Sequence, residues 1–463
     1  MTRFTARPPL WSIPISKRDS RVPLVHASLF TIVFNSLILS VFVLLVLLLP
    51  LQFISNRTKN WHRKFGKGLF GQALVLINEW FFRDLEFVVS AQGPDGQDLQ
   101  IDQFVERDQQ GKLDRIKVPA ETVWVANHQT LADWLYIWQF LYLVNHHSNV
   151  YIALKSSLRK IPIIGQACQW FGFAFLERNW LKDRRGFGND LKGMVDVSGT
   201  TRDGFDFLLF PEGTIVTENT RGISTRFAQK SGIKDLEYTL LPRSTGLFFA
   251  LQRLSIERPN LVLTDLTVGY PLPSSGATAT SKEPVYPSQH YSLPSIFLQG
   301  IAPPELHFHL RFFKVSEIPL GDLTRVTNED GDKEQEQDRQ AFEQWLLARW
   351  TEKDELLKRF NSTGTFTASA HDADESDSDS SELEQEGQGR FKGEVRWIPN
   401  SRKTFKETAE CFGYGIPLIT LGWILPLAVR GVLRSWFGGS KPTASGCSCG
   451  KMSMGSSVDR LEL

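Results

Sequence analysis

Only four cysteines, Cys168, Cys411, Cys447 and Cys449, occur in 463 residues, too few and too scattered for a disulfide framework. Cys447-Ser-Cys449 has no partner pair or nearby histidine, which argues against a zinc knuckle and for a reducing compartment. Its closeness to an apolar stretch leaves S-acylation open. An excess of one charge is also lacking: 52 Lys and Arg face 51 Asp and Glu. No global field points to nucleic acid, and any basic site has to be local. No Gly-x-x-x-x-Gly-Lys phosphate loop occurs, and Gly186-Phe-Gly188 is too incomplete for a dinucleotide fingerprint. No repeat of solenoid length is evident. The most informative absence lies between Val22 and Asn56, where Asp, Glu, Lys and Arg are missing altogether.

Within that gap, residues Val41 to Leu49 are continuous hydrocarbon, and the whole stretch is long enough to cross a bilayer core of about 30 Å. It is too long, and lacks the small-residue cleavage site, for a removed signal peptide. Asn35, Ser36 and Ser40, with Pro50 as a bend, leave a shallow helical hairpin open as the alternative. Residues 1–56 are therefore expected to be a tail and membrane segment. In residues 57–85, Arg57, Lys59, Arg63, Lys64 and Lys67 are interleaved with Trp61, Phe65, Phe70, Trp80, Phe81 and Phe82. That reads as an interfacial helix touching anionic head groups, or as an ordinary amphipathic helix on a soluble core.

From residue 86 short apolar runs alternate with helix-sized intervals: Leu85–Val89, Thr122–Ala126, Val150–Leu154, Phe173–Leu176, Phe205–Phe210, Tyr238–Leu241, Leu261–Val268 and Leu306–Phe313. The expected fold class is α/β: a mixed, largely parallel sheet with flanking helices, filling residues 86–320. It would be anchored to a membrane by the N-terminal apolar helix and by a second one at Cys411–Val429. Residues 321–362 read as a helical extension, since Phe342, Leu346, Trp350, Leu357 and Phe360 share one face. Residues 363–392 are Asp, Glu and Ser rich and read as a disordered acidic loop, with Ser376, Ser378 and Ser380 as candidate phosphosites. Residues 393–463 read as a membrane-associated segment and tail. Asn56-Arg-Thr58 and Asn361-Ser-Thr363 fit the glycosylation sequon, which matters only on a lumenal side.

Four patches sit at expected strand ends, where α/β sheets collect their sites. They are Asn127-His-Gln-Thr-Leu-Ala-Asp133, Gly172-Phe-Ala-Phe-Leu-Glu-Arg178, Phe210-Pro-Glu-Gly-Thr214 and Leu240-Leu-Pro-Arg-Ser-Thr-Gly246. Alone, the first is a helix start with Thr130 as N-cap and an ordinary half-buried histidine. It is equally the layout in which a carboxylate fixes a histidine tautomer and frees Nε2 as a base. His307 and His309, on one strand face with no third ligand, read as a solvated face and not as a metal pair. Lys155, Arg159 and Lys160 read either as a path for anionic phosphates or as a membrane-facing patch.

In their order and spacing the four patches resemble the glycerolipid acyltransferase family, of the 1-acylglycerol-3-phosphate acyltransferase type. The resemblance covers roughly residues 115–320. Glu218-Asn-Thr, Asp133-Trp134 and the Leu-Pro-Arg-x-x-Gly form look most like its lysocardiolipin and lysophosphatidylinositol acyltransferase branch. Two departures stand out: Ile215 where many members carry Arg, a charge that Arg221 or Arg226 could supply, and Leu176 where many carry Ile. The resemblance implies a membrane enzyme, most readily of the endoplasmic reticulum, that moves an acyl group from acyl-CoA to a lysophospholipid, with no metal or bound cofactor. His128 would be the general base and Asp133 its orienter. Asn127, Arg178, Glu212, Gly213, Thr214 and Arg243 would bind substrate, Gly213 and Thr214 through amides opening a helix. A CoA-independent transacylase and an inactive membrane scaffold are the competing expectations.

Overall fold

Residues 121–126, Glu-Thr-Val-Trp-Val-Ala, alternate their side chains between two cores, and that alternation sets the layering of the molecule. Trp124 and Ala126 enter one apolar cluster and Val123 and Val125 the other, as the two-residue period of a strand requires. The computed structural model describes residues 8–82, 85–99, 101–107, 109, 113–201, 203–273, 284–325, 336–367 and 394–397. The expected C-terminal apolar helix, the candidate phosphosites, Cys411, Cys447 and Cys449, and nearly all of the acidic segment lie outside these residues.

In chain order the elements are α1 (Leu24–Leu47), α2 (Asn56–Phe81), β1 (Glu86–Gln92), β2 (Val105–Arg107), β3 (Leu113–Ile116), β4 (Glu121–Ala126), α3 (Asp133–Leu143) and β5 (Val150–Lys155). They continue with α4 (Ile164–Trp170), β6 (Ala174–Leu176), α5 (Trp180–Thr201), β7 (Phe205–Leu209), α6 (Glu218–Ser231), α7 (Ser244–Glu257) and β8 (Val262–Gly269). The series closes with α8 (Leu293–Phe297), β9 (Glu305–Lys314), α9 (Glu336–Thr363) and β10 (Glu394–Trp397). Among the described residues eight strands form one sheet in the order β10-β1-β9-β8-β4-β7-β5-β6. Strand β4 pairs in parallel with β7 and β8, while β9 and β10 run antiparallel to β8 and β1. From β4 the chain moves out to β5 and β6, returns to β7, and then crosses over β4 to β8. The carboxyl ends of β4, β6, β7 and β8 therefore open on one edge of the sheet.

Helices α2 and α3 cover one face, and α5, α7 and α9 the other. The stripe Phe342, Leu346, Trp350, Leu357 and Phe360 is buried along α9, as its spacing demands. Helix α1 is 24 residues long and is apolar enough to cross a membrane, the one such helix among the described residues. A stripe of it, Phe30, Leu37 and Leu45, packs on the domain, while Leu24, Leu29, Ile32, Leu39 and Val46 face outward. Pro50 starts the short 3-10 turn Leu49–Phe53, and Ser55 caps α2 through reciprocal bonds with Thr58. His62 then bridges Gln52 and the Leu45 carbonyl, 2.9 Å each.

Three expectations change here. Helix α2 packs on the core: residues Ala73 to Asn78 are buried, and Lys67, expected among the head-group contacts, lies fully buried 3.5 Å over the Tyr151 ring. Tyr238–Leu241 is no strand, because side-chain carboxylates take its backbone N–H groups in place of a ladder. Strand β10, within the stretch expected only to touch membrane, pairs antiparallel with β1 and completes the sheet edge.

Candidate active site

Strand β4 ends at Ala126, and the next side chain locks the exit. Asn127 is fully buried; its Nδ2 donates to the Val268 carbonyl at 3.0 Å and its Oδ1 accepts the Val268 N–H at 2.8 Å. The expected substrate contact from Asn127 is therefore replaced by a structural one, since both ends of the amide are engaged by β8. His128 follows, held by its backbone on both sides. Its N–H donates to Glu212 at 3.1 Å and its carbonyl accepts from Val216 at 3.0 Å.

The imidazole is fixed twice over. Nδ1 lies 2.9 Å from Asp133 Oδ2, and the ring stacks on Phe210 with centroids 4.3 Å apart. Among the described residues Nε2 meets no protein partner, and the side chain keeps 16% of its surface exposed. Asp133 is fully buried. Its Oδ2 also accepts from Gln129 N at 2.6 Å, and Oδ1 accepts from Thr130 Oγ1 at 2.8 Å and Tyr270 OH at 2.5 Å. Thr130 is thus no N-cap; that place falls to Ala132 without a side-chain bond. A carboxylate with this many donors has one orientation open to it. A ring with Nδ1 held and Nε2 open can accept a proton.

Tyr270 is the site residue that the sequence concealed. It stands just past β8, 137 positions from Asp133, and only the β4–β8 pairing brings them together. Burial and the neighbouring Asp133 push its phenol well above its ordinary range.

Glu212 differs from expectation in its direction. It is buried, and both oxygens serve the protein: Oε1 accepts from His128 N and Oε2 from Leu240 N at 3.0 Å. Burial raises its carboxyl from 4.5 to about 8, against the pull of those two N–H donors. A group that holds its proton more tightly when folded stabilises fully below its unfolded pKa and loses that contribution as pH rises through the folded one. The melting temperature of Glu212→Gln should therefore gain on the wild type between about pH 4.5 and pH 8, a window set by these two pKa values. A difference that stays constant in thermal scans across that range would contradict the assignment.

Two guanidinium groups border the turn after β7. Arg178, in a left-handed backbone conformation at φ 65°, donates from Nη2 to the Gly213 carbonyl. That conformation is secured by Asp183, which accepts from Glu177 N at 2.8 Å and Asn179 N at 3.1 Å. Arg243 donates its backbone N–H to Pro211 at 2.9 Å, and its side chain passes over Gly213, where a Cβ would meet Nε at 3.6 Å. Burial first, and Arg243 second, lower the Arg178 pKa. Among the described residues neither arginine forms an ion pair with a carboxylate, so the two positive charges converge without an anion. The amide role expected of Gly213 is not available: its N–H donates to Phe210 at 2.9 Å, and the helix begins only at Glu218, capped by Thr217. Thr214 lies half-buried in the same turn. Of the candidates to replace an arginine at Ile215, Arg221 is paired with Asp235 at 2.5 Å, whereas Arg226 is exposed on α6.

His307 and His309 are buried, not solvated, because Phe360 and Phe366 cover that face. His309 bonds Ser90 at 2.9 Å, and burial lowers it to about 3. Among the described residues no three His, Cys, Asp or Glu side chains converge as a metal site.

Residues 110–270 match the sequence model of the acyltransferase family, and residues 333–404 match the acyltransferase C-terminus model. An uncharacterised acyltransferase of Schizosaccharomyces pombe is 36% identical over 260 residues, covering 56% of this chain and 65% of that protein. A 2-acyl-1-lysophosphatidylinositol acyltransferase of Saccharomyces cerevisiae is 34% identical over 280 residues, covering 54% and 64%. Lysocardiolipin acyltransferase 1 of Gallus gallus is 32% identical over 249 residues, covering 53% and 56%. The matches span less than two thirds of each relative's own length.

Proposed function

We propose that this chain, which matches the acyltransferase family model over residues 110–270, is a membrane-bound, acyl-CoA-dependent lysophospholipid acyltransferase working by His128–Asp133 general-base catalysis. The observation that carries this reading is the 2.9 Å bond from Nδ1 to Asp133, which leaves Nε2 open at the sheet edge where Arg178 and Arg243, neither ion-paired among the described residues, converge on Gly213. His128 Nε2 takes the proton of the acceptor's free hydroxyl as that oxygen attacks the thioester carbonyl. The new C–O bond forms, the C–S bond breaks, and the thiolate collects the proton from the imidazolium. A thiol of pKa about 8.5 is a good leaving group that asks little of the acid. Asp133 holds the imidazolium as it forms. Arg178 and Arg243 receive the acceptor's phosphate, a planar fork suited to phosphate oxygens.

The acceptor class is a lysophospholipid: lysophosphatidylinositol, lysocardiolipin or lysophosphatidic acid, following the relatives' names. The phosphate common to all three is what the arginine pair can read. Access from a lipid surface is supported by α1 and by residues 157–164, exposed in succession with Leu158, Ile161, Ile163 and Ile164 beside Arg159 and Lys160. That loop follows β5 at the same sheet edge, and α4 meets α1 through Phe42 stacked on Trp170 at 5.4 Å. An endoplasmic reticulum or related endomembrane location suits this reading.

Chain purified from carbonate-washed membranes, given a panel of lysophospholipids with and without acyl-CoA, should form diacyl product only when acyl-CoA is supplied. Product from a diacyl phospholipid donor without acyl-CoA would make it a transacylase, and recovery of the chain in the carbonate wash would remove the membrane anchor.

A further inference from the structure

Helix α9 bears two adjacent buried residues of opposite charge, Lys353 and Asp354, and they reach in different directions. Lys353 Nζ contacts Asp265 Oδ1 and the Leu266 carbonyl at 2.6 Å and Thr267 Oγ1 at 3.1 Å, all on β8. The next residue of β8 is Val268, which clamps Asn127. Asp354 takes the loop instead. Its Oδ2 accepts from Glu237 N at 2.8 Å, and its Oδ1 accepts from Tyr238 N and Thr239 N at 2.8 Å and Thr239 Oγ1 at 3.0 Å. Among the described residues this loop has no strand partner, so one carboxylate replaces a ladder for three successive amides.

The amide that follows, Leu240 N, donates to Glu212, and Glu212's other oxygen accepts His128 N. An unbroken chain of bonds thus runs from α9 through the loop and Glu212 to the backbone of the base, while Lys353 reaches the preceding residue through β8. Arg221 closes the loop from the far side by donating to the Thr239 carbonyl.

We propose that Asp354 is a positioning residue for acyl transfer, setting the height of His128 through the 237–240 loop and Glu212. Helix α9 is then part of the active-site scaffold and not an appended extension. This rests on the reading of His128 as the base, whose geometry a shift of about 1 Å would spoil by up to a hundredfold.

The test uses the full chain with Asp354→Asn, Glu212→Gln and the double variant, assayed for kcat and KM alongside hydrogen exchange by mass spectrometry. Asparagine keeps one acceptor oxygen but turns an amide N–H₂ toward a backbone donor. In Asp354→Asn, kcat should fall about ten- to hundredfold with KM for both substrates within about twofold. The double variant should be no slower than Glu212→Gln by more than about threefold, since both lie on one path. Exchange should quicken at residues 237–240 and also at 128–130. Effects that multiply in the double variant, or quickened exchange confined to 237–240, would overturn the proposal. Should Asp354→Asn fail to fold, Thr239→Val removes a single bond of the same set and should show the same non-additivity with Glu212→Gln. The exchange measurement judges the Asp354 path even if His128→Ala retained activity, which would instead defeat the base assignment.

Discussion

His128→Ala is expected to lower kcat for acyl transfer by roughly 10³-fold, within the range for removing a positioned general base, while leaving KM and the melting temperature nearly unchanged. The rate loss follows from geometry: Nε2 is the open nitrogen of a ring whose other nitrogen and whose plane are both held. The small stability effect follows from what remains. Asp133 keeps Gln129 N, Thr130 N, Thr130 Oγ1 and Tyr270 OH as donors, so no buried carboxylate is left stranded. The ring's stacking on Phe210 is lost, at about 1 kcal/mol. Steady-state kinetics with a parallel thermal scan separates this outcome from general unfolding. An alanine variant that retains more than a tenth of wild-type kcat would exclude His128 as the base.

Asp133→Asn should damage rate and stability together, and that contrast is diagnostic. Each carboxylate oxygen accepts at least two protons, Oδ2 from His128, Gln129 and Thr130, Oδ1 from Thr130 and Tyr270. Whichever oxygen becomes N–H₂ therefore faces donors. At Oδ2 the amide favours the tautomer with the proton on Nε2, where it cannot act as a base, and kcat should fall about 10³- to 10⁴-fold. At Oδ1 the Thr130 and Tyr270 hydroxyls can turn to accept the new N–H, whereas at Oδ2 the Gln129 backbone N–H also loses its acceptor in the interior. Unsatisfied buried donors cost about 1–3 kcal/mol each, enough to lower the melting temperature by several degrees. Kinetics and calorimetry on one preparation check both halves. Unchanged stability would mean that the donors around Asp133 are held less tightly than their distances imply.

What could be read from the chain follows sequence distance. His128 and Asp133 are five positions apart, on a strand end and the helix after it, so their pairing is local and was visible. The α9 stripe was visible for the same reason, since helical period and burial agree. Contacts made by strand order were not. Tyr270 and Val268 reach the site through the β4–β8 pairing, and no spacing in the sequence encodes that neighbour. The motif singles out Glu212 but not its partners, which are backbone N–H groups and leave no mark in side-chain patterns. The apolar run Tyr238–Leu241 mimics a strand; Asp354, 115 positions from Thr239, takes the N–H groups a strand would have offered. Lys67 marks the limit of reading charge as surface: its ammonium sits buried over Tyr151.

If His128 drives acyl transfer, the stoichiometry of the two products must show it. Purified full chain would receive isotopically labelled acyl-CoA and lysophospholipid in mixed vesicles, with free thiol and labelled diacyl phospholipid quantified together. Equal amounts of the two products from the wild type, and neither above background from His128→Ala, are expected. Thiol released without labelled phospholipid would make the chain a thioesterase, and undiminished labelled product from His128→Ala would place the base elsewhere.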